Sequence, residues 1–130
     1  MLVLDENVPA GQRRLLRNWR VPFRVIGVEM AASGTSDENL IPVLHGLSRP
    51  TFFSLDRNFC RPDWAHPDYC LVWLDVGTRE AAAFIRRFLR HPEFNTQTKR
   101  MGCVVRLHPG GIGYWRRAAR GWQTVEWPHP

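Results

Sequence analysis

Lysine is nearly missing from this chain: Lys99 stands alone against seventeen arginines. Its positive charge is therefore almost all planar guanidinium, which meets phosphate or carboxylate in a forked geometry that an ammonium lacks. Cysteine is also scarce. Cys60, Cys70 and Cys103 form no CxxC and no close Cys/His cluster. That spacing argues against a structural zinc, and the odd count argues against a secreted disulfide framework. Buried, reduced thiols in a cytoplasmic protein are the expectation. No apolar run approaches the ~20 residues of a membrane span. The opening LVLD is too short for a secretory leader and meets acid at once, so none is expected. No glycine-rich loop has phosphate-binding or dinucleotide spacing, since PGGIG (109–113) reads as a turn between strands. His45 and His108 have no serine or cysteine motif to serve, so acyl transfer is not expected.

What is present fits one domain over residues 1–130, with 44% hydrophobic residues to build a core. The net charge of +6 and pI of about 10.2 attract polyanions: nucleic acid, an acidic partner or an anionic surface. A solvated basic surface is the competing reading.

Short apolar runs alternate with helical patterns. LVLD (2–5) reads as a strand, and residues 10–20 read as a helix with Leu15, Leu16 and Trp19 on one face and Arg13, Arg17 and Arg20 on another. FRVIGV (23–28) is a second strand. The next helix buries Leu40, Val43, Leu44 and Leu47. Pro42 fits its first turn if Asn39 is the cap, which leaves Asp37 and Glu38 just before the helix; a Ser36 cap with a kink is the alternative. TFFSLD (51–56) and YCLVWLDV (69–76) are further strands, and the second is apolar enough to be buried on both faces. A helix over 78–91 buries Ala81, Phe84, Ile85 and Phe88. HPEFNTQTKR is a linker, and GCVVRLH (102–108), IGYWRR (112–117) and GWQTVEW (121–127) are strands without intervening helices. The expected fold is α/β: a mostly parallel central sheet of order 2-1-3-4 with an additional C-terminal strand pair.

That order makes strands 1 and 3 neighbours and brings Asp5 and Asp56 together at the carboxyl ends, at the topological switch point where ligands bind. Asp37 and Glu38 approach the same crevice from the second helix. Oxygen-only ligands favour Mg²⁺ or Mn²⁺ over zinc. Each acid also has a bland reading, as a turn former, a helix-dipole partner or a cap. Asp75, one strand further out, reads as structural or supporting.

The same residues carry a resemblance. MLVLDENVP, SDENL ahead of a leucine-rich helix, and SLDRNF after an apolar strand resemble the small PIN-like domains of bacteria, over about residues 1–76 with weaker correspondence to 130. These are relatives of PIN-domain ribonucleases, including the toxins of type II toxin–antitoxin pairs. The resemblance implies a PIN-like three-layer sandwich and a metal-dependent ribonuclease. Asp5, Asp37 and Asp56 would be its catalytic, metal-binding acids, with Glu38 as a further ligand. Glu6 and Asn7 match the start motif and would shape the site or contact substrate. Asn58 stands where the pattern has a second aspartate and brings no negative charge. The chain before strand 3 lacks room for the extra glutamate-bearing helix of longer PIN domains. The implied partners are RNA, an antitoxin protein and a second copy of the chain, with no membrane.

Arg57, beside Asp56, would steady a phosphate or else pair with an acid at the surface, and the Arg13, Arg17 and Arg20 stripe would track a nucleic-acid backbone or else form a solvated helix face. A binding module with little or no metal is the rival reading. Trp115, Trp122 and Trp127 are expected in the core rather than as a partner surface or base-stacking platform. His66 with Asp63 and Asp68 is a minor alternative metal loop.

Overall fold

Apolar runs without polar alternation need cover on both faces of a sheet. The structure, a computed structural model describing residues 1–26, 37–117 and 119–128, provides it in an α/β fold. In chain order the elements are β1 (Leu2–Leu4), α1 (Ala10–Asn18), β2 (Arg24–Val25), α2 (Asp37–His45), β3 (Thr51–Ser54), β4 (Cys70–Leu74), α3 (Ala81–Arg90), α4 (Gln97–Arg100), β5 (Cys103–His108), β6 (Gly111–Arg116) and β7 (Gln123–Val125). Seven strands form one sheet of order β2-β1-β3-β4-β5-β6-β7. The pairs β1–β2, β1–β3, β3–β4 and β4–β5 are parallel. The pairs β5–β6 and β6–β7 are antiparallel.

Alternate residues of each strand serve different clusters. Leu4, Phe53, Val72 and Val105 pack with Leu16 of α1 and with Phe84, Ile85 and Phe88 of α3. Val3, Phe52, Leu71 and Val104 pack with Leu40 and Leu44 of α2. Helices α1 and α3 are also joined by a buried bond, in which the Ala82 amide donates to Gln12 Oε1 at 2.9 Å.

Several local expectations change. Helix α1 stops at Asn18 rather than residue 20. Arg20 adopts a left-handed φ of 61°, and the Val21 amide bonds back to the Leu16 carbonyl, which closes the last turn. Leu15 is turned outward and is 37% exposed. Asp37 and Glu38 belong to α2, not to the segment before an Asn39 cap. Pro42 lies inside that helix, and the bond its ring removes would run to Glu38 in the exposed first turn. The alternative cap, Ser36, and residues 27–28 of the second expected strand lie outside the described residues. The 78–91 helix begins as a 3₁₀ turn at Thr78–Glu80, and the expected linker contains the helical turn α4.

On the α2 side one row of residues crosses the sheet in register. Ser54 pairs with Trp73, Trp73 with Arg106, Arg106 with Gly113 and Gly113 with Thr124. Trp73 and Gly113 are half-buried, while Arg106 and Thr124 are exposed. Among the described residues, this row of the α2 face is thus open to solvent across β4 to β7, while Leu71 and Val104 on the same face are buried.

Pro109 and Gly110 turn β5 into β6, and Gly111 follows with φ 154°. A Cβ at Gly111 would stand 2.9 Å from the Val125 carbonyl oxygen of β7. Gly111→Ala should therefore push β7 away from β6 and destabilise the fold by about 1–3 kcal/mol. A thermal melt would show the loss; an unchanged midpoint would refute it.

Candidate active site

Leu4 lies opposite Phe53, so β1 and β3 release their next residues side by side at the carboxyl end of the sheet. The Asp5 amide continues the ladder to the Phe53 carbonyl at 2.8 Å. The Asp5 side chain is buried, at 8% exposure. Fully buried Ser54 holds the cluster together. Its Oγ donates to Asp5 Oδ2 at 2.7 Å and accepts from Asn7 Nδ2 at 3.1 Å and from the Asp56 amide at 2.9 Å. One donor and two acceptor positions are all that a hydroxyl offers, so Ser54 is fully used. Asn7 returns its Oδ1 to the Leu55 amide at 3.2 Å. Asp56 Oδ1 accepts from the Asn58 amide at 2.9 Å and caps the 3₁₀ turn Arg57–Phe59.

Asp5 and the Asp56 backbone are thus linked through one shared hydroxyl. Burial pushes the Asp5 carboxyl above its ordinary range; Ser54 and the amides of Asn7 and Glu6 pull it down, and the Glu6 charge raises it again. None of these influences is a cation. Among the described residues, Asp5 is a buried acid whose charge is met by hydrogen-bond donors rather than by a cation.

The remaining expected site residues are more scattered. The Asp37 side chain lies outside the described residues, although its backbone opens α2. Glu38 is exposed and acts on Arg61. Arg57 is exposed beside Asp56, and Asn58 takes part through its backbone. The arginine stripe of α1 is partly tied into the protein: Arg13 Nε is buried without a hydrogen-bond partner, and the Arg17 guanidinium lies over Phe23 at 5.1 Å. Asp75 is an ion-pair partner, taking both Nε and one Nη of Arg106 on Oδ2 at 2.9 and 2.7 Å.

Sequence reasoning missed Ser54. The signal was present in Ser54-Leu55-Asp56, where a hydroxyl can bond the amide two residues on. The tryptophans also divide. Trp127 is core and donates Nε1 to the His108 carbonyl at 2.7 Å. Trp115 is half-buried, and Trp122 is 45% exposed rather than in the core.

The minor metal loop changes membership. Asp63 is paired with Arg61, and His66 and Asp68 are joined instead by His45 from the end of α2. Ligand atoms of these three lie within 4.8 Å of one another, a grouping that Asp5, Glu38 and Asp56 do not make among the described residues. His66 Nδ1 already accepts the Asp68 amide at 3.1 Å, and both rings stack or abut Tyr69. These contacts account for the grouping without an ion.

Two of the cavities among the described residues flank the sheet. One, of about 400 Å³, is lined by Met1, Phe23, Leu89 and Arg100 at the amino end of the strands and carries no carboxylate side chain. The other, of about 380 Å³, opens on the α2 face between Arg57, Trp73, Arg106 and Trp122. It adjoins the acids, because Arg57 follows Asp56 and Trp73 is the register partner of Ser54. Comparisons with family models, curated proteins and solved structures give no match to this chain. Among the described residues no helix is long and apolar enough to cross a membrane.

Proposed function

We propose that this chain is a metal-dependent nuclease of PIN-like type, with the three-layer PIN-like sandwich as its fold and single-stranded RNA as its substrate. The observation that carries the reading is the Ser54-centred cluster, which ties the Asp5 carboxylate to the Asp56 backbone at the carboxyl ends of adjacent parallel strands. The donors fit a hard divalent cation, Mg²⁺ or Mn²⁺. They are oxygens, and Asp5 is a buried carboxylate with no cation among the influences of the described residues on it. Asp5 and Asp56 would hold the ion, with Asp37 and Glu38 of α2 as the proposed further ligands. When bound, the ion would acidify a water and offset charge on the phosphodiester.

The protein's own groups would do the rest. Ser54 and Asn7 fix the orientation of Asp5, and the Glu6 amide bonds its carboxylate. Arg57 would hold the phosphate beside Asp56. Asn58 would steady Asp56 through its amide, and Arg13 and Arg17 would supply positive potential along the approach. A toxin of a toxin–antitoxin pair, acting in the cytoplasm and restrained by an antitoxin protein or by a second copy of the chain, is the biological setting that this reading fits.

One feature favours a second reading. Asn58 contributes an amide where a further acid would add charge, so the cluster could bind nucleic acid without cleaving it. Incubating the protein with labelled single-stranded RNA and Mn²⁺ separates the two. A nuclease gives fragments that fall by at least a hundredfold in Asp56→Asn. Binding without fragments at any metal level indicates the module. In both cases affinity should fall with salt, with a log–log slope near −0.7 per phosphate contacted. A flat salt response would remove nucleic acid altogether.

A further inference from the structure

We infer that the open groove on the α2 face is a seat for one nucleotide of a single strand, with the base on Trp73 and Trp122 and the phosphate on Arg57 and Arg106. The inference rests on the nuclease reading for the kind of strand, and on register for the place. Ser54, which binds Asp5, and Trp73, Arg106, Gly113 and Thr124 form one cross-strand row. Strands lie about 4.8 Å apart, so the groove floor at Gly113 is some 14 Å from the Ser54 row position. A chain laid across the strands would therefore meet the acids and the groove in succession.

The groove's chemistry selects a flat anion. Its volume of about 380 Å³ is in the range of small-ligand sites. Gly113 leaves the floor bare: a Cβ there would meet only the Arg106 Cβ, at 4.0 Å. The Trp122 ring is exposed and braced edge-on by Trp115 at a centroid distance of 6.0 Å. Arg106 lies over Trp73 at 5.3 Å, and Asp75 fixes it through Nε and one Nη without engaging the other Nη. Arg57 adds a second guanidinium, while Asp75 is the acid paired at this end of the sheet. Aromatic faces take any base, and guanidinium forks take phosphate. Aliphatic side chains of a protein partner would offer Arg57 and the unengaged Nη of Arg106 no acceptor.

The test uses the full chain in EDTA with a fluorescein-labelled uridine octanucleotide. Gly113→Val fills the floor without touching the acids, and Trp122→Ala removes a stacking face. Each should weaken octamer binding about tenfold or more while the melting temperature holds. Free AMP should compete only weakly, since it offers one unit of the strand. Unchanged octamer affinity in both variants overturns the assignment. AMP binding as tight as the octamer overturns it too, and makes the groove a mononucleotide receptor. The two readings fail separately. If the variants lose binding but no protein cleaves RNA with Mn²⁺, the groove stands and the nuclease falls. If Gly113→Val cleaves with unchanged KM, the groove falls and the nuclease stands.

Discussion

Asp5→Asn is expected to remove Mn²⁺-dependent cleavage by at least a hundredfold and, in the same protein, to raise thermal stability. The two effects have one cause. Burial lifts the Asp5 carboxyl above its ordinary value of 3.8, so the folded state holds that proton more tightly than the unfolded chain does. Stability tied to this group is fully present below that ordinary value and is lost as pH rises through the folded one. At neutral pH the charged carboxylate is a cost, worth about 1.4 kcal/mol for each pKa unit of the rise. Asparagine removes the charge and keeps one oxygen to accept from Ser54, while its Nδ2 cannot accept from the Glu6 and Asn7 amides, which offsets part of the gain. Melting curves from pH 4 to 7 should fall more steeply for the wild type than for Asp5→Asn. Adding Mn²⁺ should reverse the order. An ion at a hundredfold excess over its Kd adds about 2.7 kcal/mol to the protein that binds it. Equal Mn²⁺ shifts in both proteins would exclude Asp5 as a ligand.

Ser54→Ala is expected to destabilise the fold by about 1–3 kcal/mol and to lower cleavage as well. The deletion removes a partner from Asp5 Oδ2, Asn7 Nδ2 and the Asp56 amide, of which only Asp5 is buried; Asp56 is half-buried and Asn7 exposed. A buried polar group left without a partner costs about 1–3 kcal/mol, and more when charged. Against a typical domain stability of about 5–15 kcal/mol, that loss moves a urea midpoint far without changing the slope. The double variant sharpens the test. Once Asp5 is asparagine, the charged partner is gone, so Ser54→Ala should cost less there than in the wild type. A loss below about 0.5 kcal/mol in the wild-type background would mean that Ser54 does not hold the cluster.

The α/β architecture was legible because period and punctuation agree. Runs such as CLVWL lack polar alternation, the Ala81–Phe88 stripe repeats at helical spacing, and PGG breaks β5 from β6. The meeting of the β1 and β3 ends followed from the expected neighbours. Less legible were features that depend on three dimensions. Helix α2 carries Pro42 inside it because the missing bond falls in an exposed turn, which no propensity reveals. Ser54 looks like an ordinary strand residue until Asp5, 49 residues away, is placed beside it. His45 joins His66 from another element, whereas proximity in sequence had favoured Asp63. Trp122 escapes the core because the last strand runs over an uncovered face, and hydrophobicity alone sends tryptophan inward.

The sheet's two margins bear on self-association. One margin is β2, two residues long, with Pro22 just before it; the other is β7, three residues long, with Pro128 soon after. Rows this brief offer an incoming strand few backbone rungs, and the nearby prolines supply no amide to extend them. Along the described edges, an incoming strand would therefore find few backbone groups to pair with.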